Sequence, residues 1–170
     1  MFKGESMKRI VLMVFLFIIA ISLLACKKKN EYLDLSELTE SQIFTQSEDE
    51  YLVYFHKDNC SGCESIKTDV LHYNYLSSKD DNLVKIYGMN LQKEDETKAL
   101  IYRTYTGLSG QGDEGTFYVN TVTNWYDLYI AATPALIVIK TNDGVKKAHF
   151  ITYGASNISS YLEGLYEKGN

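Results

Sequence analysis

A chain of 170 residues with 45% hydrophobic and 23% charged side chains has the make-up of one folded domain plus an appendage. Its net charge of −5, from 17 Lys and Arg against 22 Asp and Glu, excludes the clustered positive surface that a nucleic-acid backbone requires, so no nucleic-acid partner is expected. Three cysteines, at 26, 60 and 63, are too few for a disulfide-stapled scaffold and fall into two separate settings.

Lys8 and Arg9 precede Ile10–Ala25, an apolar run interrupted only by Ser22. It is shorter than the roughly 20 residues of a bilayer-spanning helix. The run ends Leu23-Leu24-Ala25-Cys26, which resembles the bacterial lipoprotein signal: an aliphatic residue, a small residue, and then the Cys that receives the lipid. Leu24 departs from that pattern, which more often has Ser or Ala there. The resemblance implies a signal peptide over residues 1–25 and lipid attachment at Cys26. It also implies a bacterial cell-membrane address on the extracytoplasmic side, where disulfides persist. The competing reading is an uncleaved anchor in which Cys26 closes an apolar helix. Lys3, Lys8 and Arg9 on one flank balance Lys27, Lys28 and Lys29 on the other, so charge does not orient that anchor. Residues 26–47 are polar and of both signs, and are expected to be a solvated tether running into a short helix.

A domain is expected over 48–170. Tyr51-Leu52-Val53-Tyr54-Phe55 is a run of aromatic and aliphatic residues that suits a strand buried on both faces. From Cys60 onward, Cys63, Ile66, Val70 and Tyr73 recur at helical spacing, with Asn59 as the expected cap. A second strand is expected over 83–89 and an amphipathic helix over 93–105. Residues 106–123 hold four of the eleven glycines and read as an irregular insertion or surface lobe. Ala135–Ile139 is an unbroken apolar strand, Asn142-Asp143-Gly144 a hairpin turn, and Lys146–Tyr153 its antiparallel partner. Ile158, Tyr161, Leu162, Leu165 and Tyr166 then place a final helix on the sheet, capped by Ser156 or Asn157. The fourteen tyrosines are scattered and expected to be half-buried packing residues.

The chemistry lies in Cys60-Ser61-Gly62-Cys63. Disulfide exchange needs a thiolate attacker and a second thiol in reach, and a spacing of three on the first turn of a helix supplies both. Unpaired N–H groups at the helix start favour a thiolate on Cys60, while Cys63, deeper in the turn, resolves. Half a zinc site and a purely structural bridge are the competing readings. Zinc would need two further ligands from His56, His72 and His149, and a bridge across so short a loop constrains the unfolded chain little.

Over residues 48–168 the chain resembles the thioredoxin-like family. The features are Tyr51–Cys63 at a strand-to-helix junction, Ala132-Thr133-Pro134-Ala135 before an apolar strand, and Tyr153-Gly154-Ala155 before the last helix. The resemblance implies an α/β fold with a mixed central sheet, flanking helices and an insertion before a cis-proline loop. Thr133 and Pro134, the chain's only proline, would then grip substrate backbone opposite the cysteines. Asn59 stands where thioredoxins proper carry Trp, and Ser61-Gly62 where they carry Gly-Pro. Tyr54 stands where they bury an Asp that helps deprotonate the resolving thiol. A phenol with a pKa of about 10 is a poor base, and His56 is the candidate substitute.

The function implied is a membrane-anchored thiol–disulfide oxidoreductase that acts on thiols or disulfides of exported proteins. It would work with a membrane or extracytoplasmic redox partner, and no cofactor or metal is expected. The alternative is a non-catalytic thioredoxin-like module that binds a peptide or a metal. The missing acid, the Ser-Gly dipeptide and the address together point to a potential above the about −270 mV of thioredoxin.

Overall fold

Alternation along Glu50–His56 (β1) sends Tyr51, Val53 and Phe55 to one side and Leu52 and Tyr54 to the other. All five are buried in the computed structural model, which describes residues 34–91 and 117–169. Residues 1–33, with the expected signal peptide and Cys26, lie outside that description, as do the helix expected over 93–105 and residues 106–116 of the insertion. Among the described residues no helix is long and apolar enough to cross a membrane.

After β1 come two short-coupled helices, Ser61–Ser65 (α1) and Lys67–Lys79 (α2), then Lys85–Asn90 (β2), Ala135–Asn142 (β3), Val145–Tyr153 (β4) and Ala155–Gly169 (α3). The sheet order is β2-β1-β3-β4, with β1 parallel to β2 and antiparallel to β3, and β4 antiparallel to β3. The β3–β4 turn has positive φ at both Asp143 and Gly144, the geometry that matches the twist of a two-residue hairpin. Central β1 therefore needs apolar residues on both faces, which is why its sequence is nearly continuous rather than alternating.

The two faces are covered differently. Leu52, Tyr54, Leu136 and Val138 pack under α2 and α3, against Val70, Tyr73, Ile158 and Leu162. Each such aliphatic side chain removed from water contributes about 1.5–3 kcal/mol. Tyr51, Val53, Phe55, Ile137 and Ile139 face the other way, onto Leu38, Ile43, Val119, Val122, Leu128 and Ile130.

That second layer corrects two expectations. Residues 34–47 do not behave as a solvated tether: Leu38 and Ile43 are buried, and Ser36–Leu38 lie along β2. There Leu38 N–H donates to Gly88 O at 2.8 Å and Gly88 N–H to Ser36 O at 2.9 Å. A single turn of 3-10 helix follows at Glu40–Gln42. Residues 117–123, expected within a surface lobe, bury Val119 and Val122 and bond to β4 through Thr121 N–H to Ala148 O and Ala148 N–H to Val122 O. In both segments a few short apolar clusters supply the lid, too brief to show a period.

The helix expected to run unbroken through Ile66 divides there, at φ −108° and ψ 4°. Ser65 Oγ donates to Gly62 O at 2.8 Å, taking the carbonyl that the next turn's N–H would have used. The last helix begins at Ala155, with Ile158 N–H donating to Gly154 O, so Ser156 and Asn157 lie inside its first turn rather than capping it.

Tyr51, Tyr54 and Tyr73 are buried fully, not by half. The Tyr51 hydroxyl donates to Ile43 O and that of Tyr87 to Glu48, tying connecting segments to the sheet, while Tyr73 on α2 donates to Val84 O just before β2. Burial pushes the ionisation of Tyr51, Tyr54 and Tyr73 well above the ordinary range, and that of Tyr87 up to about 12. In the unfolded chain these phenols lose protons near pH 10, so above that pH the unfolded state binds fewer protons than the native one. The stability they support is complete below about pH 10 and is lost as the pH climbs through about 12 and beyond. Thermal unfolding followed by circular dichroism should show a Tm that falls steeply in that alkaline window. A flat Tm there would contradict the protonated burial of these side chains.

Candidate active site

β1 ends at His56, and Lys57-Asp58-Asn59 turns the chain back toward the sheet's edge. Asn59 adopts φ 55°, a left-handed conformation that Asn tolerates better than most residues. It is not the helix cap. Cys60 takes that role: its backbone is extended and its Sγ accepts the Cys63 N–H at 3.1 Å, while Glu64 N–H donates to Cys60 O. A sulfur receiving a backbone N–H is better placed to carry negative charge than one without such a donor.

Cys60 and Cys63 are joined by a disulfide, with Cα atoms 5.2 Å apart. They are 7% and 6% exposed, so accessibility does not distinguish them. Among the described residues no group of three or more His, Cys, Asp or Glu side chains is placed to hold a metal. His72 lies on α2 in a groove against Ser159 and Glu163 of α3, and His149 stands opposite Val138 on β4. Neither lines the cavity next to Cys63.

The Thr133–Pro134 bond is cis, and Pro134 O accepts the Gly154 N–H at 2.9 Å. A Cβ placed on Gly62 would lie 3.0 Å from Pro134 Cδ. A side chain there would require the proline ring to give by a few tenths of an ångström. The helix start that carries the cysteines, the proline before β3 and Gly154 before α3, far apart in sequence, meet at Pro134. The chain has a thioredoxin-like fold.

No family model matches the chain, and no curated protein does. Solved structures with similar folds include thioredoxin f2 of Chlamydomonas reinhardtii, 13% identical with a TM-score of 0.43, covering 79% of this chain and 96% of that one. A second comes from work on the thiol-resolving mechanism of yeast mitochondrial 1-Cys peroxiredoxin via glutathione and thioredoxin systems. It is 12% identical with a TM-score of 0.41, covering 80% and 97%. A third is an uncharacterised thioredoxin-like protein of Clostridium perfringens, 14% identical with a TM-score of 0.36, covering 82% and 88%. The fold assignment rests on this chain's own sheet order and on the meeting of Cys60, Gly62 and Pro134.

On the inner side of Cys63 is a cavity of about 320 Å³. Its walls are Tyr54 and His56 from β1, Glu64 and Lys67 across the helix start, and Asp34 and Glu37 from the segment beside β2. Tyr54 stands buried where thioredoxins proper place the acid, and carboxylates reach the cavity wall from other segments. Glu37, expected among solvated tether residues, lines this cavity and is bonded to His56. Its only local signal is the short alternation Leu33-Asp34-Leu35-Ser36, too brief to stand out. Tyr54 is no base: burial, and then the charges of Glu64 and Glu37, keep it protonated well above the ordinary range.

Proposed function

We propose that this protein is a thiol–disulfide oxidoreductase held at the outer side of a bacterial cell membrane by a lipid on Cys26, exchanging disulfides with exported proteins. The observation that supports the reading most strongly is the Cys60–Cys63 disulfide at a helix start, packed against a proline loop. In the reducing direction the Cys60 thiolate attacks a substrate disulfide, forms a mixed disulfide and releases one substrate thiolate. Cys63 then gives up its proton and attacks Cys60 Sγ. The Cys60–Cys63 bond forms, the second substrate thiolate leaves, and two electrons have passed to the substrate. Oxidation runs the same steps backwards. Thr133 and Pro134 are the proposed seat for substrate backbone beside the sulfurs.

The full chain, purified in detergent, should accelerate the reduction of insulin by dithiothreitol or the oxidation of a reduced protein by glutathione disulfide. Binding of substrate peptides with no exchange in either direction would overturn this reading and favour a binding module. The address is tested separately. Cys26→Ala should abolish incorporation of labelled fatty acid in cells and leave exchange by the purified chain intact, whereas unaltered labelling would remove the lipoprotein assignment.

A further inference from the structure

The segment Asp34–Leu38 does more than cover an edge of the sheet. It runs beside β2, with Glu37 paired to Gly88, and carries the Glu37 carboxylate to the end of β1. One carboxylate oxygen accepts the Asn90 N–H at 3.0 Å, which pins the group. The other accepts from His56 Nε2 at 2.7 Å. The far side of the arrangement is equally fixed, because the His56 ring stacks on Tyr54 at 5.4 Å with 14° between the planes. A carboxylate on Nε2 selects the tautomer with the proton there and leaves Nδ1 as the basic nitrogen of the ring. The side chains of His56 and Glu37 are 22% and 30% exposed, so both are partly withdrawn from water yet open to the cavity they share with Cys63.

We propose that His56 accepts the proton of the Cys63 thiol during resolution of the mixed disulfide, and that Glu37, brought in by the Asp34–Leu38 strap, is its positioning residue and counter-charge. The inference rests on the exchange reaction proposed above. In balance, the Cys63 proton passes to His56 Nδ1, directly or through water in the cavity. The Cys63 thiolate attacks Cys60 Sγ, the intramolecular disulfide forms, and the substrate thiolate departs. The imidazolium then returns its proton to solvent.

Other charged groups face the ring, and each is otherwise accounted for or of the wrong kind. Lys57 and Lys67 are cations. Asp58 accepts the Asn90 side-chain amide at 3.1 Å, and Glu64 lies 4.0 Å from Lys67. Asp34 lines the cavity without an ion pair to the ring. Tyr54 is a second pointer to chemistry in this cavity: its hydroxyl is buried, has no hydrogen-bond partner and remains protonated, so it is a donor held in reserve beside the resolving thiol.

The reduced full chain is mixed with an aromatic disulfide that releases a coloured thiolate. The first release reports attack by Cys60 and the second reports resolution by Cys63. His56→Ala should leave the first phase within about twofold of wild type and slow the second roughly 10²-fold. The second phase should also change its pH profile, and added imidazole should restore its rate. Glu37→Gln keeps the size of the side chain but loses the charge and one of the two acceptor oxygens, and should slow the second phase roughly tenfold. A second phase unchanged in both variants overturns the proposal. So does a slow phase in His56→Ala that keeps the wild-type pH profile and ignores imidazole, because the ring would then be structural. If the wild-type chain shows no first phase, the exchange reaction itself fails, and this pair with it.

Discussion

Replacing Cys60 by Ser is expected to abolish disulfide exchange, by at least about three orders of magnitude, whereas Cys63→Ser should still attack and then stall as a mixed disulfide on Cys60. The difference follows from what each sulfur does. A Ser hydroxyl does not ionise in the working range, so without Cys60 there is no nucleophile at the helix start. Without Cys63 the nucleophile remains and only its release is lost. Exposure does not predict this asymmetry, since the two residues are within a per cent of each other. The Cys63 N–H pointing at Cys60 Sγ does, because it stabilises charge on one sulfur and not on the other. Mass spectrometry of the chain after incubation with a disulfide-bonded peptide separates the cases. An adduct trapped on Cys63 in the Cys60→Ser variant would reverse the assignment of attacker and resolver.

Gly88→Val is expected to be among the most damaging substitutions outside the cysteines, although Gly88 lies away from the sulfurs in sequence and carries no chemistry. A Cβ at this position would lie 2.5 Å from Glu37 Oε1 and 2.8 Å from both Glu37 Cδ and Leu35 Cδ2. The Glu37 carboxylate has little room to retreat, being held by Asn90 and His56 at once. Leu35 is packed against the helix-side core. Either β2 shifts or the strap lifts off, and overpacking of this kind costs about 1–3 kcal/mol. Lifting the strap is the cheaper course, because it is tied to β2 by two backbone hydrogen bonds to Gly88 and by the Glu37 carboxylate on Asn90 N–H, whereas β2 is paired to β1 along its whole length. The variant should therefore unfold at lower denaturant, be cleaved by protease near residues 34–38, and slow resolution as Glu37→Gln does. Wild-type stability with a protected strap would show that the contact is easily relieved and that the strap is not held there.

Some of this was legible in the linear chain. The continuous apolar runs at 51–55 and 135–139 identified the central strands, because a strand covered on both faces has no polar side to alternate with. The Asp143-Gly144 turn and the spacing of Ile158, Leu162 and Leu165 needed only local rules of backbone and helix geometry. The Cys-x-x-Cys pair was legible for the same reason: one helical turn brings both sulfurs together whatever the rest of the fold does. Asn59 was misjudged as the cap because the choice between Asn59 and Cys60 depends on which of them takes the left-handed conformation, and the turn out of β1 decides that.

Only the tertiary structure brought Glu37 to His56, 19 residues away, and to the backbone of Asn90, 53 residues away. It likewise made core residues of Leu38, Ile43, Val119 and Val122. They fall in short clusters such as Ile43-Phe44 and Phe117-Tyr118-Val119, and a periodic signal needs several residues repeating on one face. A segment that covers a sheet by a few anchor points has no period to read, and a carboxylate carried on such a segment looks solvated until the strand it lies against is known.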